Sequence, residues 1–371
     1  MKKKKSAVGK IIVFVVELIV LVALLGVLWF VLKGTGSEGV KTIDINESEI
    51  EITIPEEVKE NETMKGYRNV ALFGVDSRTG ALSSKTRTDT IMIASINLES
   101  KEVKLVSVYR DTYLNQMGNN KNYGKCNAAY AYGGAEQAIK MLNANLDMDI
   151  TDFMTIGFEG VRDVVDALGG IYISVEEDEL EHINNYQSAM VGTMDDISSF
   201  TPITETGLQK LDGLQATAYC RVRYTAGNDF KRTERQREVI KACLDVAKTM
   251  SPDALIKICN NVFGEVYTSL DLTEILEILK DITEYSIVDE GGFPTSGKIT
   301  TGDIGSAGSC VIPVDLADNV IWLHQFLFDD TDYTPSSNVS SFSDDIYNQT
   351  HSYLDGVFNP NANVGDDGDD E

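Results

Sequence analysis

The chain has 371 residues and is strongly acidic, with 58 Asp and Glu against 32 Lys and Arg and a formal net charge of -26 at pH 7. This length is enough for one large domain or two small ones with a buried core. Proteins that bind nucleic acid or anionic membranes with their whole surface have the opposite charge balance, so the composition excludes both classes for the domain as a whole.

The N-terminus has the pattern of a membrane anchor. Lysines at positions 2–5 precede an apolar segment, residues 11–32, in which Glu17 is the only charged residue. A helix of this length, at about 1.5 Å per residue, spans roughly the 30 Å hydrocarbon core of a bilayer. A cleaved signal peptide, the alternative, has a shorter apolar region of about 7–15 residues and a cleavage site of small residues. We therefore expect one transmembrane helix at 11–32.

The lysines around this segment also predict its orientation. Basic residues favour the cytoplasmic side, so residues 1–10 form a predicted cytoplasmic tail. The expected location is the cell membrane, with a single-pass anchor and everything after residue 32 outside the cell.

Two polar segments flank the predicted domain. Residues 33–65 are rich in Glu, Ser and Thr and indicate an extracellular stalk. Residues 331–371 are rich in Ser, Asp and Asn and end in an acidic run, which predicts a disordered tail. The domain itself is expected at residues 66–330.

Strand and helix patterns alternate in the domain. Residues 68–76 are predicted as a strand, and residues 90–110 as a hairpin of two strands joined at 97–102. The later elements are a helix at 135–146, a helix at 158–170 that ends at glycine, a strand at 171–175 and an amphipathic helix at 232–250. This mixture predicts an α/β fold, an αβα layered domain with a mixed central sheet flanked by helices.

Charged pairs lie at the ends of the first three predicted strands. They are Asp76 with Arg78, Arg87 with Asp89, and Arg110 with Asp111. The hairpin brings residues near 89 and near 110 to one end of the sheet, and Asp76 joins them if its strand runs alongside. Neighbouring carboxylates and arginines suit a divalent cation that bridges phosphate oxygens, with forked guanidinium donors on the remaining oxygens. Surface salt bridges are the alternative explanation.

Residues 219–238, YCRVRYTAGNDFKRTERQRE, contain half of the arginines of the chain. An extended backbone directs Arg221 and Arg223 to the same side. Arg232, Arg235 and Gln236 share one face at the start of the predicted helix, whereas Arg237 is expected to point away into solvent. Cations at a helix N-terminus oppose the helix dipole unless an anion compensates, and a phosphate provides that compensation.

The ordered series FGVDSR, TRTDT, SVYRD, KCNAAYAYGG, VDALGGI, GLQKLDGLQATAYCRVR and DFKRTERQ resembles the LytR–CpsA–Psr family of cell-wall ligases over roughly residues 66–250. The resemblance implies a bacterial enzyme on the outer face of the cytoplasmic membrane. Such an enzyme moves a glycopolymer with its phosphate from a polyprenyl (undecaprenyl) diphosphate carrier to a muramic acid hydroxyl of peptidoglycan and releases polyprenyl phosphate. The polymer is wall teichoic acid, capsule or another wall polysaccharide.

The resemblance also implies roles for individual residues. Asp76 and Asp89 correspond to the Mg²⁺ ligands. The implied contacts with the diphosphate are Arg78, Arg87, Arg110, Arg221, Arg223, Arg232, Arg235 and Gln236. Two departures from the family pattern concern acceptor positioning: Ala128 stands where KxNHAY has histidine, and Tyr109 replaces a proline.

The acceptor hydroxyl must lose a proton. His182, His324 and His351 lie outside every motif, so a carboxylate, Asp111 or Asp229, is the candidate general base. The full catalytic set is Arg87, Asp89, Arg110, Asp111 and Asp229. Two alternatives remain open, namely a polyprenyl-diphosphate hydrolase and a membrane-anchored regulator or binding module that senses lipid-linked precursors.

Overall fold

The computed structural model describes residues 41–42, 46–76, 82, 85–118, 122–192, 198–225, 228–262 and 266–353. The predicted cytoplasmic tail, residues 1–10, and the predicted transmembrane helix, residues 11–32, lie outside these ranges. Among the helices that the structure describes, none combines the length and the apolar character needed to cross a membrane.

A seven-stranded mixed sheet forms the centre of the fold. Its strands follow the order β1-β10-β7-β2-β3-β4-β11, with parallel pairing of β1 with β10, β7 with β2, and β4 with β11. The remaining strands form three two-stranded sheets, β5-β6, β8-β9 and β12-β13. The strands are β1 (Lys41–Thr42), β2 (Tyr67–Val75), β3 (Thr88–Asn97), β4 (Glu102–Val108), β5 (Tyr113–Asn115), β6 (Tyr123–Lys125), β7 (Asp152–Gly157), β8 (Ile171–Val175), β9 (Gly207–Leu211), β10 (Val266–Thr268), β11 (Ser286–Phe293), β12 (Ile299–Asp303) and β13 (Ser309–Pro313).

Helices cover both faces of the sheet. They are α1 (Glu47–Glu51), α2 (Glu56–Lys59), α3 (Asn127–Leu146), α4 (Phe158–Ala167), α5 (Leu180–Met190), α6 (Gly213–Tyr219), α7 (Asn228–Ala247), α8 (Pro252–Val262), α9 (Leu272–Lys280), α10 (Leu316–Phe328) and α11 (Ser337–Thr350). Short 3₁₀ turns occupy Met64–Gly66, Gly305–Ala307 and His351–Tyr353.

The period of two along the strands divides the core between the two faces. Phe73 and Val106 belong to the larger hydrophobic cluster, which they share with α3, α10 and α11. Leu105, next to Val106, faces the other way and packs with Ile240 of α7. The predicted αβα layering with a mixed central sheet is therefore confirmed.

A smaller subdomain forms around the β8-β9 hairpin. Ile171 and Ile173 of β8 share a separate hydrophobic cluster with Ile183 of α5, Ala216 of α6 and Val239 of α7. Cys220 and Val222 of the arginine-rich segment between α6 and α7 are buried in this cluster. The cluster therefore fixes the position of that segment.

The predicted hairpin is present and has a defined register. β3 and β4 are antiparallel with Met92 opposite Ser107, and continuing that register places Asp89 opposite Arg110. β2 pairs antiparallel with β3, with Gly74 opposite Thr90. A Cβ atom on Gly74 would lie 2.8 Å from the Cβ of Thr90, so this close approach requires glycine. The end of β2, the start of β3 and the end of β4 therefore meet at one edge.

Two helices begin earlier than the sequence predicts. α3 starts at Asn127 rather than 135, and its helical geometry is interrupted at Gly133 and Gly134, where Gly134 has a positive φ of 69°. The apolar periodicity of 135–146 marks only the part of the helix after this break. α7 starts at Asn228 rather than 232, so Arg232 lies in the second turn, away from the helix terminus.

The structure corrects both ends of the predicted domain. In the predicted stalk, Ile50, Ile54 and Val58 are buried in the larger core cluster, so the domain extends back to at least residue 46. In the predicted tail, Ser337–Thr350 forms α11, whose Val339, Phe342 and Ile346 are buried. The abundant Ser, Asp and Asn obscured this short apolar stripe with helical spacing. Residues 354–371 lie outside the described ranges.

Candidate functional site

A cavity of about 340 Å³ opens at the sheet edge where β2 ends and β3 begins. The lining residues are Asp76, Thr86, Arg87, Asp89, Arg110, Asp111, Lys125, Asn127 and Arg223. Four of these are cationic and three are anionic, so the lining has a small excess of positive charge in a protein whose net charge is -26. This is the local environment that an anionic ligand requires.

A second cavity, of about 220 Å³, has the opposite character. Its lining contains the carboxylates Glu57, Asp147, Asp330 and Asp332, and no Lys or Arg is present among its described lining residues. Of these two cavities, only the one at the sheet edge suits a phosphate group.

Arg110 lies at the centre of the charged groups in the cavity. Its Nη1 donates a hydrogen bond to Asp89 Oδ1 at 2.7 Å, as the hairpin register predicts. Its Nε lies 3.4 Å from Asp111 Oδ2 and 3.5 Å from Asp229 Oδ2. The backbone of Arg110 is also held, because the N–H of Asn127 donates to its carbonyl at 3.0 Å. The guanidinium is therefore fixed from three sides.

Asp89 is held in its charged form by the surrounding arginines. Burial raises the pKa of its carboxyl, but the charges of Arg232, Arg110 and Arg223 together with the hydrogen bond from Arg110 outweigh burial and lower the pKa below its usual value. Arg223 Nη2 lies 3.7 Å from Asp89 Oδ1. Asp89 is thus available as an anion at neutral pH.

Arg232 does not line the cavity but contacts Asp89, which does, and Asp229. Its side chain is 2% exposed, its Nη1 lies 2.9 Å from Asp229 Oδ1, and its Nη2 donates to the Asp89 carbonyl at 3.3 Å. Burial lowers the pKa of Arg232 to about 10 against the opposing charge of Asp229. Its predicted direct contact with a diphosphate therefore requires the surrounding groups to move.

The residues present fit a magnesium ion only together with a ligand that supplies oxygens. Asp76 and Asp89 line the same cavity, and Asp76 makes no ion pair with another described residue. No cluster of three His, Cys, Asp or Glu side chains suitable for a metal occurs within the described ranges. Mg²⁺ is commonly bound by one or two carboxylates plus substrate phosphates and water, and this donor set matches that pattern.

The two candidate bases occupy different positions. Asp111 lines the cavity, and its Oδ1 lies 3.3 Å from Lys125 Nζ. Asp229 is not among the lining residues of this cavity; with Asp111 it lines a small space of about 10 Å³. Its carboxylate is close to Arg110, Arg223 and Arg232, with nitrogen–oxygen distances of 3.5, 3.6 and 2.9 Å. Asp111 is therefore the carboxylate that faces the cavity, whereas Asp229 holds three arginines in place.

Several predicted contacts do not reach the cavity. Arg235 is fully buried; its Nε donates to Glu179 at 2.6 Å, and its other nitrogens donate to the Val222 carbonyl and to Thr225. Arg221 stacks on the rings of Phe158 and Tyr186.

The remaining residues of the arginine-rich segment also depart from the prediction. Gln236 is buried and donates to the Cys220 carbonyl at 3.4 Å. The prediction of a solvated Arg237 is wrong, because this side chain is buried and donates to Ser107 at 2.7 Å. Arg78 lies outside the described residues.

The sequence analysis did not single out Glu179 or Tyr186. Both belong to the region of α5, where the sequence has no motif that marks them. They become apparent only when the fold brings α5 against the arginine-rich segment, where Glu179 pairs with Arg235 and Tyr186 packs on Arg221.

The fold and the cavity define a layered α/β protein with an arginine-lined cavity at the edge of its sheet. The LytR_cpsA_psr family model matches residues 29–303, well over half of the chain. The chain therefore belongs to the LytR_cpsA_psr family.

Named relatives agree with this assignment. The chain is 28% identical over 235 residues to the polyisoprenyl-teichoic acid–peptidoglycan teichoic acid transferase TagT of Bacillus subtilis, covering 62% of this chain and 69% of TagT. It is 32% identical over 217 residues to the transferase TagU of Enterococcus faecalis, covering 57% of this chain and 65% of TagU. Biofilm regulatory protein A of Streptococcus mutans is 30% identical over 242 residues, with 60% and 57% covered. The chain thus spans about two thirds or less of these relatives.

Solved structures share the fold. A structure described as TagT bound to LI-WTA has a TM-score of 0.58 at 23% identity and covers 74% of this chain and 94% of TagT. A family protein with bound octaprenyl pyrophosphate lipid has a TM-score of 0.53 at 22% identity, with 72% and 93% covered. B. subtilis TagV has a TM-score of 0.57 at 24% identity, with 73% and 99% covered.

Proposed function

We propose that this protein is a transferase that moves a phospho-glycopolymer from a polyprenyl diphosphate carrier to a muramic acid hydroxyl of peptidoglycan. The observation that carries the proposal is the cavity in which Arg87, Arg110 and Arg223 converge with Asp76 and Asp89. Relatives named as teichoic acid transferases, and a family structure with a bound polyprenyl pyrophosphate, support the substrate class.

The reaction is a displacement at phosphorus. An oxygen of the acceptor hydroxyl forms a bond to the phosphorus next to the glycan, and the bond from that phosphorus to the bridging oxygen breaks. Polyprenyl phosphate leaves with the bridging oxygen and its electron pair. Arg110 and Arg223 face the cavity and stabilise the negative charge that develops on the phosphate oxygens.

Asp111 is the proposed general base. It faces the cavity and is held by Lys125 and Arg110, so it is placed to accept the proton of an acceptor hydroxyl there. Asp229 instead orients three guanidinium groups. Asp229 is therefore a positioning residue in this account.

Magnesium is the proposed cofactor. Asp76 and Asp89 would hold the ion, which when bound supplies positive charge to the phosphate oxygens. The charged form of Asp89, maintained by its arginine neighbours, is the form that such binding requires.

The proposed location is the outer face of the cell membrane. The apolar segment 11–32 with its preceding lysines supports a single-pass anchor with a cytoplasmic N-terminus. This arrangement gives the domain access to both a lipid-linked donor and peptidoglycan.

Replacing Arg110 tests the role of the cavity. With the full chain in detergent, Mg²⁺, a polyprenyl-diphosphate glycan and a peptidoglycan fragment as acceptor, Arg110→Ala is expected to slow the release of polyprenyl phosphate by roughly 10²–10³-fold. Lys65→Ala is the control, because Lys65 is an exposed cation that pairs with Glu62 outside the cavity. A folded Arg110→Ala protein with full turnover would refute the assignment.

A further inference from the structure

An aromatic surface adjoins the proposed phosphate cavity. Tyr224 directly follows Arg223, a cavity residue, and its side chain is 64% exposed. The ring of His182, on α5, lies 5.9 Å from the ring of Tyr224 and is inclined to it by 40°. Tyr186 lies one helical turn after His182, on the same face of α5.

The hydroxyl of Tyr186 is a donor without a protein acceptor in the described part of the chain. Burial raises the pKa of this half-buried tyrosine, although the charges of Arg223, Arg221 and Arg232 oppose the rise, so the hydroxyl keeps its proton at neutral pH. One of these arginines, Arg221, lies directly over the Tyr186 ring. An O–H group in such a position suits an oxygen of an anionic or hydroxylated ligand.

The position of Tyr186 is fixed by stacking. The guanidinium of Arg221 lies 4.6 Å from the ring centre of Phe158 and 5.3 Å from that of Tyr186. Because the Arg221 guanidinium packs on these rings, it stabilises the position of α5 and does not line the cavity. The stack links α4, α5 and the arginine-rich segment, which also carries Arg223 and Tyr224.

We propose that Tyr186, Tyr224 and His182 form a subsite for a pyranose ring that adjoins the phosphate in the cavity. The exposed ring of Tyr224 packs on the apolar face of the sugar, and the Tyr186 hydroxyl donates to a sugar oxygen. The combination of an apolar surface and a polar group matches a carbohydrate, which has both. This inference rests on the proposed function, and the sugar belongs either to the donor glycan or to the acceptor glycan.

Two variants and a matched control test the subsite. Tyr224→Ala removes the ring and Tyr186→Phe removes only the hydroxyl, while Tyr172→Ala removes a tyrosine of similar exposure, 57%, from the β8-β9 hairpin. Binding to the full chain is measured for polyprenyl diphosphate with and without its glycan. Tyr224→Ala is expected to weaken binding of the glycan-bearing lipid about tenfold and Tyr186→Phe roughly two- to tenfold.

In the donor case, neither variant changes binding of the sugar-free lipid. If the sugar belongs to the acceptor, binding of both lipids stays unchanged and KM for a peptidoglycan fragment rises by the same factor. Tyr224→Phe retains the ring and is expected to restore binding, which excludes misfolding as the cause. Unchanged donor binding together with an unchanged acceptor KM, or an equal effect of Tyr172→Ala, would overturn the subsite. A wild-type chain that fails to bind even the sugar-free lipid would instead refute the proposed function.

Discussion

Neighbouring arginines on one helix have different roles because their partners come from different parts of the chain. Arg232 and Arg235 are both buried on α7. Arg232 contacts Asp89 and Asp229 behind the cavity, whereas Arg235 pairs with Glu179, which is 56 residues away in sequence. The spacing on the helix predicted a shared face, but it could not identify Glu179. The Arg110–Asp89 contact was predictable, because both residues belong to one hairpin.

Arg235 is expected to contribute to stability rather than to substrate binding. Arg235→Ala leaves Glu179 buried without its partner, and loss of one member of a buried ion pair costs about 3–5 kcal/mol. Chemical denaturation of the full chain measures this change in the free energy of unfolding. Lys231→Ala, which removes a more exposed pair with Glu234, is the control and is expected to cost less than about 1 kcal/mol. If the Arg235→Ala protein is fully stable but no longer binds the lipid, the stability role is wrong and Arg235 contacts the substrate instead.

At the scale of elements, the sequence predicted the strands β2, β3, β4 and β8 and the interior of three helices, α3, α4 and α7. It missed the ends of α3 and α7, because the glycine break at 133–134 and the polar first turn of α7 conceal where these helices begin. It also missed the joint between α10 and α3. There His324 Nε2 lies 3.0 Å from the Leu146 carbonyl, and its ring stacks on Tyr333 at 3.6 Å.

This joint makes stability depend on pH. Burial lowers the pKa of His324 to about 4, below its unfolded value of 6.5. As pH falls through 6.5, the unfolded chain binds the proton before the folded chain does, so stability present above pH 6.5 is lost as pH approaches 4. The loss attributable to His324 is about 2–3 kcal/mol.

Urea unfolding between pH 7 and pH 4 measures this dependence. His324→Gln keeps a polar group near the Leu146 carbonyl and cannot titrate, so its stability is expected to fall less over this range than that of the wild type. His351→Gln, at an exposed histidine, is the control. Identical pH profiles for His324→Gln and the wild type would contradict the assignment.

At the scale of the whole molecule, composition predicted a domain with two polar extensions, and the structure shows a larger domain. The buried side chains of α1, α2 and α11 are few, and each is surrounded in sequence by polar residues. These side chains stabilise the fold through contacts with parts of the core that are distant in sequence, and composition does not reveal such contacts. The cavity was more predictable, since its strand-end residues meet wherever the hairpin forms.

Truncation tests the extent of the domain. Ending the chain at Asp330 removes Val339, Phe342 and Ile346 from the core, and each buried side chain of this size contributes roughly 1.5–3 kcal/mol. It also removes the hydrogen bond from Tyr333 to Asp147. Thermal unfolding is expected to show a Tm lower by about 10 °C or more. Ending the chain after Tyr353 removes no described residue and serves as the control. If both truncated proteins have the same Tm, α11 does not stabilise the domain and residues 331–371 are a dispensable tail.

Product analysis tests the central claim most directly. The full chain is incubated with Mg²⁺, a labelled polyprenyl-diphosphate glycan and a peptidoglycan fragment, and the products are identified by mass spectrometry. The account predicts a glycan joined to muramic acid through a phosphodiester, absent when EDTA is added and strongly reduced in Arg110→Ala. Free glycan phosphate as the sole product in the presence of acceptor would contradict transfer and indicate a hydrolase, and unchanged donor would indicate a binding module.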